Sequence, residues 1–89
     1  MEDAWNADPH ARLVRLIGVA PSELGTTGGS DGCPDIWELD NGDFALIGRD
    51  LTAAHSDGLP DDAVIGSRER LVVIPRVTLL AAKDQIPDA

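Results

Sequence analysis

Apolar and polar residues alternate most regularly from position 36 to 47, in Ile-Trp-Glu-Leu-Asp-Asn-Gly-Asp-Phe-Ala-Leu-Ile. Such alternation predicts strands with one face turned to a core. Asn41-Gly42 in the middle predicts a hairpin with a two-residue type I′ turn, because Asn-Gly tolerates positive φ at both central positions. The hairpin is expected over about 35–40 and 43–48. This register sets Leu39 opposite Phe44, Trp37 opposite Leu46 and Ile36 opposite Ile47. Trp37, Leu39, Phe44 and Leu46 then share one face, with Glu38, Asp40, Asp43 and Ala45 on the other. The aromatic face is read as core, since a lone hairpin is only marginally stable.

The rest of the chain supplies shorter signals. In Asp8–Gly18, Asp8 suits an N-cap, Pro9 a first helical position and Gly18 a stop, so a short helix is favoured narrowly over a strand through 13–19. Pro21 and Ser22 open a single helical turn that Gly25 ends. Glycines at 25, 28, 29 and 32 then read as a flexible loop over about 25–32. A short middle helix capped by Asp50 is expected to end near Gly58. Residues 59–69 read as mostly turn. Arg70–Ile74 reads as a strand buried on both faces, interior to the sheet. Pro75 then opens a C-terminal helix that Pro87 stops. The mixed order of elements predicts an α+β fold: a small antiparallel sheet with a short middle helix and a C-terminal helix.

Size and composition narrow this picture. Eighty-nine residues, with Leu, Ile, Val and Phe at 23 positions, make one small domain over 9–89 with a thin core. Residues 1–8 are expected to be a flexible end. The polar, acidic start shows neither the basic nor the apolar region of a signal peptide, and no apolar run approaches a membrane span. One cysteine makes no internal disulfide. A cytoplasmic protein is the expectation.

Charge carries the clearest functional signal. Of the net −9, residues 31–62 hold nine acids against Arg49 alone, while residues 63–89 are slightly basic. Such a field repels phosphates, which argues against direct nucleic-acid binding. It keeps a small protein soluble, and it also suits a docking face for a basic partner.

No stretch spells out a catalytic or cofactor signature. His55, Ser56 and Asp57 hold the letters of a hydrolase triad, but adjacent residues do not face one another. The glycine-rich loop has no following Gly-Lys-Ser/Thr and reads as a linker rather than a phosphate cradle. Cys33 with only His10 and His55 falls short of a zinc set and reads as a structural thiol. Glu38, Asp40 and Asp43 lack calcium-loop spacing. No metal or cofactor is therefore expected.

The motifs Cys33–Ile36, Glu38–Asp43, Ile47–Thr52 and Glu69–Pro75 resemble a group of small acidic actinobacterial proteins. Those share Cys-Pro-Asp-Ile, an acidic hairpin, Ile-Gly-x-Asp-Leu-Thr and Glu-Arg-hydrophobic-Val-Ile-Pro, and the resemblance spans roughly residues 12–86. It implies an association with neighbourhoods of helix-turn-helix regulators and transfers no catalytic residue. The expected function is a non-enzymatic acidic interaction module, accessory to a DNA-binding transcriptional regulator. Asp35, Glu38, Asp40, Asp43 and Asp50 would meet the partner's basic surface. The alternative is a small enzyme or small-ligand binder using Cys33, Asp35, Arg49 and Asp50.

Overall fold

A computed structural model describes residues 5–27 and 32–87. Positions 28–31, which are half of the expected glycine-rich loop, and 1–4 of the expected flexible end lie outside the described residues. The fold is α+β and small. Strands β1 (Leu13–Ile17), β2 (Asp35–Leu39) and β3 (Phe44–Ile47) form an antiparallel sheet in the order β1-β2-β3. A second ladder pairs β4 (Arg49–Asp50) with β5 (Val72–Val73). Helical turns α1 (Pro21–Leu24) and α2 (Thr52–His55) are short; helix α3 (Arg76–Ala82) continues into a 3-10 turn, Lys83–Gln85.

The helix expected after Asp8 is a strand instead. Asp8 makes a local turn, its carboxylate accepting the His10 N–H at 2.9 Å and its carbonyl the Ala11 N–H at 3.2 Å. The chain then runs extended through Leu-Val-Arg-Leu-Ile, whose branched side chains suit a pleated surface. Pairing with β2 decides the outcome, because Ile17 gains Ile36 as neighbour and Arg15 gains Glu38. Gly18, at φ 98°, ends the strand and gives its N–H to the Gln85 side chain at 2.9 Å.

The hairpin is where expected, but its turn is longer and its register shifts by one residue. Gly42 N–H donates to Leu39 C=O at 3.1 Å, and Leu39 N–H to Asp43 C=O at 2.8 Å. With Gly42 at φ 91°, this is the three-residue loop with a glycine bulge rather than the two-residue turn. Glu38 now faces Phe44, Trp37 faces Ala45 and Ile36 faces Leu46. Facing residues share a side of the sheet, so Phe44 and Leu46 lie with Ile36 and Glu38, while Trp37 lies with Asp35 and Leu39. The two aromatics occupy opposite faces, contrary to the sequence expectation.

The strand expected at 70–74 pairs at only two positions and belongs to the second ladder, not to the interior of the main sheet. Val72 and Val73 are exposed accordingly. Gly48 makes the junction between the ladders: a Cβ there would stand 2.6 Å from the Val73 carbonyl oxygen. The core is thin, as the length implies. Ile17, Ile36 and Ala82 are buried with Ile74 packed against them, so α3 closes the β1–β2 end of the sheet.

Candidate functional site

The acids assigned to docking divide between the two sides of the ribbon, and each already has a partner. Glu38 faces Arg15 across the β1–β2 ladder, and its Oε1 accepts from Arg15 Nη2 at 2.8 Å and Nε at 3.1 Å. Asp40 Oδ1 accepts the Arg12 backbone N–H at 3.1 Å, with the Arg12 guanidinium 4.0 Å from the other oxygen. Asp43 Oδ2 accepts the Trp5 indole N–H at 3.3 Å. Asp35 lies on the opposite face from Glu38. Its Oδ2 accepts the Trp37 indole N–H at 3.3 Å, and its Oδ1 is buried without a hydrogen bond among the described residues.

Asp50 is engaged in a turn of its own. One carboxylate oxygen accepts the Thr52 hydroxyl at 2.7 Å and the Thr52 N–H at 3.0 Å. Those hydrogen bonds, helped by Arg70 at 3.9 Å, hold the carboxyl below the ordinary aspartate range. Thr52 Oγ1 in turn accepts the Leu71 N–H at 2.8 Å, which ties this turn to the approach of β5. The expected cap of the middle helix is thus the clamp between the two arms of the second ladder.

Arg12, Arg15 and Arg70 are the compensating cations that the charge tally along the chain could not place. Asp57, Asp61 and Asp62, in the loop between α2 and β5, are exposed and enter no ion pair among the described residues. The uncompensated charge therefore sits mostly off the hairpin.

The four residues of the small-ligand alternative come together only in part. A pocket of about 520 Å³ at the hairpin base is lined by Cys33, Pro34, Ile47, Gly48, Arg49 and Ile74, among others. Asp35 and Asp50 do not line it. Cys33 Sγ lies 3.0 Å from Thr27 Oγ1, within hydrogen-bond distance. No group of three His, Cys, Asp or Glu side chains among the described residues is placed to hold a metal ion. His55, Ser56 and Asp57 follow one another at the end of α2, where the Ser56 hydroxyl donates to Ala53 C=O at 3.2 Å rather than meeting His55.

Apolar surface is the feature that the sequence reading missed. Helix α3 buries Thr78 and Ala82, one turn apart, yet Val77, Leu79 and Leu80 are 46, 53 and 55 % exposed. A helix apolar all round is normally buried. The signal was present in Val-Thr-Leu-Leu-Ala-Ala, which offers no polar stripe for water. Among the described residues no helix is long and apolar enough to cross a membrane. Comparison with protein-family models, curated proteins and solved structures finds no match for this chain.

Proposed function

We propose that this chain is a non-enzymatic interaction module that docks a partner protein bearing a basic surface. The observation that carries the reading is α3, which leaves Val77, Leu79 and Leu80 exposed over a core that holds three buried apolar residues among the described ones. Contiguous exposed apolar surface rimmed by polar residues marks association sites. Charge selects the partner's sign. The exposed acids of the α2–β5 loop, with Asp43 at the hairpin turn, favour arginine- and lysine-rich surfaces and speed encounter with them.

A helix-turn-helix regulator is the partner class that the resemblance to acidic actinobacterial proteins supports. Glu38, Asp40 and Asp50 contribute less, since Arg15, Arg12 and Arg70 offset their charge, and Asp35 contributes less because its half-buried carboxylate binds Trp37. The pocket beside Cys33 and Arg49 supports a second reading, a small-ligand site, with two of its four expected residues in place. The docking reading is tested by recovering what co-purifies from the native cell and titrating it against wild-type protein and charge-neutralised variants at two salt concentrations.

A further inference from the structure

Strand β3 is an edge of the main sheet, and nothing among the described residues pairs with its outer side. Leu39 bonds Asp43 in the ladder, and hydrogen-bonded positions alternate, so Asp43, Ala45 and Ile47 point their backbone groups at β2. Phe44 and Leu46 therefore point theirs outward. Proteins usually blunt such an edge with lysine, proline or a covering element. Here the strand Phe-Ala-Leu-Ile carries none, and Phe44, Leu46 and Ile47 are all exposed.

We propose that this edge is the docking surface for a second copy of the chain, joined by antiparallel β3–β3′ pairing about a two-fold axis at Leu46. The flanking charges select that register. Asp43 precedes the apolar run and Arg49 follows it, at equal distances from Leu46. Antiparallel pairing centred on Leu46 sets Asp43 of each copy opposite Arg49 of the other, twice by symmetry. The same register sets Ala45 opposite Ile47 and Phe44 opposite Gly48, a small residue against a large one each time. It also keeps the outward backbone groups of Phe44 and Leu46 in hydrogen-bonded positions. A slip of the axis by one residue either way would put Asp43 opposite Ile47 or Leu51, and the charge match would be lost. Pairing yields a continuous sheet in the order β1-β2-β3-β3′-β2′-β1′. The net −9 on each copy opposes association in general. At this edge, however, no like charges stand directly opposite one another. A contact this small is expected to be weak.

The experiment is sedimentation of the full chain from about 10 µM to about 1 mM, the range in which weak association is visible. Four proteins are compared: wild type, Asp43→Arg, Arg49→Asp and the double variant carrying both. Wild type is expected to shift from monomer to dimer mass across the range. Each single exchange sets like charges opposite one another and is expected to weaken the dimer at least about tenfold. The double exchange restores opposite charges and is expected to restore the dimer. Circular dichroism of all four confirms that loss of dimer is not loss of fold. Wild type that stays monomeric to about 1 mM, or a dimer indifferent to both single exchanges, would overturn the proposal.

Discussion

Phe44 stands opposite Glu38 across the β2–β3 ladder, one position away from the Leu39 that a two-residue turn would have given it. The glycine bulge at Gly42 is responsible, and it decides which face each side chain of β3 takes. Gly42 sits at φ 91°, and an added methyl would meet no atom within 4 Å, so a side chain there suffers from backbone strain alone. Gly42→Ala is expected to cost about 1–2 kcal/mol. In a domain of this size that is a fall in melting temperature of roughly 4–8 °C per kcal/mol. Gly58→Ala, where the added methyl also meets open space but φ is not positive, is the control and is expected to melt near wild type.

Asp50 gives the fold a dependence on acid. Its carboxyl titrates below the ordinary value because Thr52 bonds the ionised form and Arg70 adds attraction. The folded pKa is depressed, so this contribution is complete above the unfolded pKa, about 3.9. It is lost as pH falls from there through the lowered folded value. Asp50→Asn is therefore expected to lower the melting temperature at neutral pH. It should also flatten the dependence below about pH 4, where wild type is losing the same interaction. Melts from about pH 3 to pH 7 on both proteins check the sign.

Thr78 is 4 % exposed on the sheet side of α3, and its hydroxyl has no hydrogen-bond partner among the described residues. A buried hydroxyl left unpaired costs stability that an apolar group of the same shape does not. Thr78→Val keeps the volume and is expected to raise stability by up to about 1 kcal/mol. A lower melting temperature would show that the hydroxyl is bonded in solution.

The sequence was most legible where local chemistry and tertiary pairing agree. Asn41-Gly42 marked the hairpin, Pro21 and Gly25 bounded a single helical turn, and Pro75 marked the start of α3 to within a residue. It was least legible where long-range pairing decides. Asp8-Pro9 offered a helix start, but Leu13–Ile17 answers to β2, a distant segment of the chain. Asn-Gly suits more than one turn, and a difference of one loop residue moved Phe44 across the sheet. The acids were legible as charge but not as partners, because Arg12, Arg15 and Arg70 reach them only once the strands pair. For the small-ligand alternative, Cys33 and Arg49 do meet at one pocket, while Asp35 and Asp50 are held elsewhere by Trp37 and Thr52.

Docking to a basic partner is tested most directly by titrating the co-purified protein against wild type and the variant Asp57→Asn, Asp61→Asn, Asp62→Asn. These three acids are exposed and outside every ion pair among the described residues, so their neutralisation is expected to leave the melting temperature within experimental scatter. Neutralising Glu38 or Asp40 instead would also remove a contact to Arg15 or Arg12 and blur the readout. The expected result is a wild-type affinity that weakens between about 50 and 300 mM salt, with the variant binding more slowly and depending less on salt. An affinity equal in both proteins and indifferent to salt would contradict the account and leave these acids with solubility alone.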